Sequence, residues 1–273
     1  MYKILMFAVL IISCGGEDKM FSGYNIFSEN IKSIKLDKKL KEISGLTFTK
    51  DSRLFCHNDE KGEIFEIDFD GNIIKSFYLK GKLKEDFEDI AFFKDHFYLV
   101  TSSGTIYQFN EANDGEEIEY QIYDTGLKSK YDVEGLCVDH ESKSLLLACK
   151  EFPGKGLKGN RAIYSFSLEK NILDETPRYI ISIDKIKDYG FNNFHPSAIG
   201  FNNKTKSYFL VDGKNSLIME IDTLGNIMNI SSLNKKNHKQ PEGLTFYKDG
   251  TMIISDEGNS GKARITFYQY STN

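Results

Sequence analysis

A phrase of about ten residues recurs five times along the chain, and it constrains the fold more than any other feature. It reads KEISGLTFTKD at 41–51, DFEDIAFFKD at 86–95, YDVEGLCVDH at 131–140, FHPSAIGFNN at 194–203 and QPEGLTFYKDG at 240–250. Aligning Ser44, Glu88, Glu134, Ser197 and Glu242 gives spacings of 44, 46, 63 and 45 residues. A repeat of this length marks a supersecondary unit that buries its apolar faces only by stacking on its neighbours. Units built of four short strands are the blades of a β-propeller.

The strands can be read directly. The first unit gives LTF, RLFCHN, EIFEID and IIKSFYL, with Asp70-Gly71 as a tight turn before the last. The fourth gives AIGF, SYFLVD, LIMEID and LGNIMNI. No stretch of useful length has helical periodicity, and 21 Phe and 15 Tyr against four Pro favour strands. The fifth unit supplies only GLTF, TMIISD and RITFYQY. Its missing outer strand is expected from NIFSENIKSIKL (25–36), which would close the ring and protect its edges. The predicted fold is therefore all-β: a five-bladed β-propeller of four-stranded antiparallel blades, the last blade closed by an N-terminal strand. The long third unit reads as an extended loop with longer outer strands.

This single domain covers 24–273. Ahead of it, MYKILMFAVLIISCGG carries one Lys and an apolar run of signal-peptide length, too short to span a bilayer comfortably. I-I-S-C looks like a lipobox, so 1–13 reads as a lipoprotein signal peptide, Cys14 as the lipid-bearing residue and 14–23 as its tether. Gly15 in place of Asp gives no inner-membrane retention cue, so the expected location is the bacterial cell envelope, at the outer membrane or cell surface. A formal charge of −5 argues against nucleic acid as a partner. The Lys-rich stretches at 35–42 and 234–239 read as solvated loop faces. Cys56, Cys137 and Cys149 lack zinc spacing and lie in apolar runs, as buried thiols do; a Cys137–Cys149 disulfide is the alternative.

Each blade's first strand should line the axis, with the repeated phrase at its start. The second strand returns to the same face and ends in HNDE (57–60), TSS (101–103), CKE (149–151), VDG (211–213) or SDEG (255–258). One mouth of the ring thus collects Glu88, Glu134 and Glu242, with Asp59, Asp89, Asp212 and Asp256 as neighbours. Converging carboxylates must protonate or recruit a cation. Calcium takes six to eight oxygens in irregular geometry and is the cofactor expected here. The same acids could instead cap turns. No His/Cys cluster suggests zinc or a redox metal.

His57 and His195 lie at strand ends near that face, where a metal-dependent hydrolase could use one as general base, although lone histidines at strand ends are more often structural. The GKGLKG at 154–159 does not open a helix inside a βαβ unit, which excludes dinucleotide binding. Lys155, Lys158 and Arg161 in that loop either meet an anionic ligand or stay in water. No G-x-S-x-G is present.

With its EGL/SGL-type blade starts, HNDE after the first blade's second strand, CKE in the third and an SDEG ending, the chain resembles the SdiA-regulated (YjiK-like) family over residues 24–270. That resemblance implies a five-bladed propeller distantly related to NHL-repeat proteins, a bound calcium and no established enzymatic activity. The expected function is a lipid-anchored, calcium-binding, non-catalytic module, monomeric, showing its acidic face to a protein or glycan partner. The alternative is a metal-dependent hydrolase of lactonase, esterase or phytase type.

Overall fold

The computed structural model describes residues 20–28, 31–81, 83–259 and 261–271; Cys14 and the signal segment lie outside them. β1 (Lys32–Lys35) comes first. Blade 1 is β2 (Ile43–Phe48), β3 (Leu54–Asn58), β4 (Glu63–Ile67) and β5 (Ile73–Leu79). Blade 2 is β6 (Phe87–Phe93), β7 (His96–Thr101), β8 (Thr105–Phe109) and β10 (Tyr120–Asp124), preceded by the short β9 (Glu117–Ile118). Blade 3 holds β11 (Val133–Asp139), β12 (Ser144–Cys149), β13 (Asn160–Ser167), β14 (Ile172–Leu173) and β15 (Tyr179–Ser182), then α1 (Ile183–Asp188). Blade 4 is β16 (Ala198–Asn202), β17 (Ser207–Asp212), β18 (Leu217–Ile221) and β19 (Ile227–Ser232). Blade 5 is β20 (Pro241–Phe246), β21 (Met252–Asp256) and β22 (Arg264–Tyr268).

The inner strands β2, β6, β11, β16 and β20 pack in that order around the axis, and β20 returns to β2. Five apolar clusters fill the five seams between neighbouring blades. β1 pairs antiparallel with β22, Ser33 opposite Thr266, and supplies the fourth strand of blade 5 as expected. The clasp extends further than the sequence reading allowed. Phe21, inside the stretch read as tether, is buried in the seam between blades 4 and 5, so the domain already begins there. Tyr24 is fully buried in the same seam; its hydroxyl donates to the Gly250 carbonyl at 2.6 Å and accepts from Asn202 Nδ2 at 2.6 Å.

Two blades depart from the four-strand plan. In blade 3 the outer strand is split: β14 and β15 both pair with β13, and the surplus residues form α1 and the loop to Phe194. In blade 1, β9 reaches over from the second unit and adds a fifth strand, parallel to β5. The thiols are free: Cys137 faces the seam with blade 4, and Cys149 the seam with blade 2.

The repeated phrase has a structural cause. Phe87 pairs with Thr101 and Asp89 with Val100, so Glu88 is an extra residue in its strand. Glu134 is likewise extra between Val133 and Gly135, and Glu242 between Pro241 and Gly243. A bulge re-aims the extra side chain out of the ladder. Blade 1 carries its irregularity between Ile43 and Leu46, spanning Ser44. Four of the five phrases thus repeat an irregularity at the mouth of the axis, while blade 4 pairs in plain register from Ala198.

Candidate metal centre at the mouth of the axis

The bulges turn three glutamates into one cavity of ≈ 150 Å³. It is lined by Glu42, Asp59, Asp86, Glu88, Glu134, Glu242 and Glu257, with Lys150, Gln240, Ile43 and Ser44. Among the described residues, one ammonium therefore faces seven carboxyl groups. Lys150 Nζ donates to Glu134 Oε1 at 2.6 Å. Burial alone would lower the Lys150 pKa, but the carboxylates of Glu134 and Glu242 outweigh it and raise it.

Burial and mutual repulsion drive the acids towards their neutral forms. Glu88 is pushed up to about 10, by burial first and then by Glu134, Asp86 and Glu242. Burial raises Glu242 to about 8 and, against the pull of Lys150, Glu134 to about 7. Asp59 rises to about 6 through burial and the charge of Glu42. Glu257 rises to about 8 through burial and its hydrogen bond with Glu42, whose own pKa falls for that bond and for Lys41.

Within this wall, Glu42, Asp59 and Glu257 offer oxygens that all lie within 4.8 Å of one another. Oxygens bound to one calcium at about 2.4 Å can be no further apart than about 4.8 Å. Asp59 Oδ1 is buried and has no hydrogen-bond partner among the described residues, although a buried carboxylate oxygen normally finds one. An all-oxygen donor set with an orphaned oxygen fits a hard cation such as calcium and offers nothing to a soft one.

The structure brings Glu88, Glu134, Glu242 and Asp59 together and sends Asp89, Asp212 and Asp256 elsewhere. Asp89, 1% exposed, sits inside the shaft, where its carboxylate accepts from the Ile90 and Leu136 N–H groups at 2.8 and 2.7 Å. Asp212 accepts from the N–H groups of His195 and Asn215 at 2.8 Å each. Asp256 accepts from His238 Nδ1 at 2.7 Å, and His238 Nε2 meets the Tyr268 hydroxyl at 2.6 Å. The reason is alternation along a strand: Asp256 turns inward, and Glu257, one residue on, turns to the mouth.

Neither candidate histidine lines the cavity. His57 is fully buried, its Nε2 accepting from the Gly45 N–H at 3.1 Å, and burial lowers its pKa to about 4. His195 lies beside Arg161 and Asn193 at the third blade's insert. Arg161 is itself buried, donating to the Phe194 and Glu151 carbonyls, so it is a strut and not an exposed anion ligand.

Sequence reading missed Glu42, Asp86 and Lys150 as site residues. A signal was present: an acid stands two residues before the bulge position in Glu42, Asp86 and Asp132. Two residues along a strand return to the same face.

Below the mouth, Gly45 and Gly243 let the inner strands close on the axis. At the far end the shaft opens into a second cavity of ≈ 320 Å³, ringed by Phe48, Phe92, Val138, Phe201 and Phe246. Lys50 and Lys248 also line this far end, and no carboxylate does among the described residues, in contrast to the mouth.

Fold and site together define a five-bladed β-propeller with an acidic axial mouth. The chain belongs to the SdiA-regulated family, whose model matches residues 23–172 and 169–272. No curated protein sequence matches it. Among solved structures it is similar to the glutaminyl cyclase of Myxococcus xanthus, at TM-score 0.58 and 10% identity over 88% of this chain and 94% of that one. It is also similar to the PQQ-bound aldose sugar dehydrogenase of Streptomyces coelicolor, at TM-score 0.56 and 11% identity over 89% and 99%. A chain of a nidogen/laminin complex aligns at TM-score 0.51 and 16% identity over 81% and 74%. Two enzymes and a binding complex share the architecture, and at these identities the likeness is one of fold alone.

Proposed function

We propose that this protein is a calcium-binding, non-catalytic interaction module of the bacterial cell envelope, held there by a lipid on Cys14. The observation that carries the metal is Asp59 Oδ1, buried beside Glu42 and Glu257 without a hydrogen-bond partner. Glu42, Asp59 and Glu257 would hold the ion, and Glu88, Glu134 and Glu242 would lie behind it in the same cavity. The ion would supply positive charge that lets the acids stay ionised and fixes the blade-start loops relative to one another. The ordered mouth then becomes the surface offered to a protein or glycan.

The hydrolase reading drawn from the sequence relied on His57 or His195 as base, and neither imidazole lines the mouth. That favours binding over catalysis.

Differential scanning calorimetry tests the metal. Adding calcium to chelator-treated protein should raise Tm, with about 2.7 kcal/mol of stabilisation at a hundredfold excess over Kd. Asp59→Asn should keep the cooperative melt and lose the response. A wild-type melting curve indifferent to chelator and calcium would sink the metal reading. For the anchor, Cys14→Ser should move the protein from the membrane to the soluble fraction; unchanged partitioning would remove the lipid from the proposal.

A further inference from the structure

We propose that a second cleft, beside the acidic mouth, binds a ligand carrying two or more phosphate groups. This cleft of ≈ 440 Å³ is lined by Lys35 of β1, Lys236 and Lys239 ahead of β20, Lys262 after β21 and Arg264 of β22. Glu257 belongs to both cavities and forms the wall between them. The lysines read as solvated in two separate stretches of sequence are therefore neighbours in space.

Elsewhere on this acidic surface some basic side chains pair with carboxylates, Lys50 with Asp95, Lys187 with Asp184 and Arg53 with Glu66, and the many that do not are scattered rather than gathered in one cleft. The chain has 40 acids against 35 Lys and Arg, so partners are in excess. Yet none of the five cations of the cleft is ion-paired among the described residues, and Arg264 Nη1 has only Ser33 Oγ at 3.2 Å. The two acids in its wall are engaged with other groups. Asp256 is held by His238 Nδ1 and by the Gln240 N–H, and Glu257 by Gln240 Nε2 and Glu42. Five like charges gathered from three segments repel one another, and an anion of several charges relieves that repulsion where a single carboxylate would not. Lysines act on phosphate as mobile point charges, and Arg264 can bind two of its oxygens at once. The cleft has the volume of a small-ligand site. The cleft gathers these five cations whether or not the mouth holds a metal ion.

Titration calorimetry on the full chain, with chelator throughout so that the outcome is independent of calcium, is the test. Pyrophosphate represents a soluble ligand, and dihexanoyl phosphatidic acid below its micellar concentration represents a lipid headgroup. At least one should bind, with affinity falling as salt rises. Lys239→Ala/Lys262→Ala should weaken it about tenfold or more, with Tm unchanged because both side chains are exposed. Lys235→Ala, just outside the cleft, should leave it as it was. Tighter binding of pyrophosphate assigns the site to soluble phosphates, and tighter binding of phosphatidic acid to a headgroup. Binding of neither ligand, or equal binding by the double variant, overturns the proposal.

Discussion

The carboxylate of Asp89, at the start of blade 2's inner strand, accepts a hydrogen bond from the backbone N–H of Leu136 on the next blade at 2.7 Å. It also fills the shaft against Gly45, where an added Cβ would come within 2.1 Å of Asp89 Oδ1 and 2.6 Å of the Ile90 nitrogen. One buried acid thus ties three inner strands and stoppers the channel between the acidic and aromatic ends.

Gly45→Ala should therefore destabilise by about 3 kcal/mol, through overpacking against a wall with little room to move. Asp89→Ala leaves the Leu136 N–H buried without a partner and should cost about 1–3 kcal/mol. Because the two sites touch, the double variant should lose less than the sum of the singles. Denaturant unfolding of all four proteins reads this; strict additivity would mean that the contact is not made.

The acids of the mouth predict a pH dependence of definite sign. Glu88, Glu242, Glu257, Glu134 and Asp59 have folded values of about 10, 8, 8, 7 and 6. The reference values are 4.5 for Glu and 3.8 for Asp. A raised folded value means the folded state holds its proton more tightly. The stabilisation is full below the reference values and is lost as pH climbs through 6 to 10. Chelator-treated protein should accordingly melt at progressively lower temperature from pH 5 to pH 9. Saturating calcium should flatten that slope. A metal-free Tm that rises over this range would contradict the burial of these acids.

Lys150→Met separates the roles of the one ammonium in the cavity. Without a cation, removing it leaves Glu134 buried without its charge partner, and about 3 kcal/mol of stability should go. With a cation, the same change removes a competitor for the carboxylates, so calcium affinity should increase. Opposite movements of metal-free Tm and calcium Kd are the signature. Loss of both together would show that Lys150 is needed to shape the site.

For the clasp, Tyr24→Phe removes a hydroxyl that serves both Gly250 and Asn202, at a cost of about 1–2 kcal/mol. A chain beginning at Lys38 lacks β1 and leaves β22 with an unpaired edge, so it should aggregate and melt earlier. Equal melting temperature and solubility of that shortened chain would refute closure by β1.

The propeller was legible because its signals are local and repeated. Period, strand alternation and the orphan strand at 25–36 sufficed for blades, order and closure. The mouth was only partly legible, since the bulge inverts the alternation from which facing is read. Glu88, Glu134 and Glu242 were found because they are themselves the bulged residues. Asp89, one position on, follows the ordinary pleat into the shaft. Asp256 and Glu257 are adjacent in SDEG, and strand phase, which a four-residue motif does not reveal, sends Glu257 to the mouth and Asp256 inward. Glu42 and Lys150 belong to different blades, and their meeting depends on the ring having closed. The helix and split strand of blade 3 had no periodic signal: α1 has six residues and one buried side chain, Ile186.

The pairing of Ser33 with Thr266 also sets an order of events in the making of the protein. β1 is made ahead of all five blades and has no partner until β22 follows it. Until then four blades and part of a fifth form an open arc, and the apolar seam between blades 4 and 5 still waits for Phe21, Tyr24 and Ile26 to cover it. The molecule therefore cannot mature blade by blade from its N-terminus, as a linear repeat array can. β22 must be made before the ring can close, so β1, made ahead of every blade, is put in place after them.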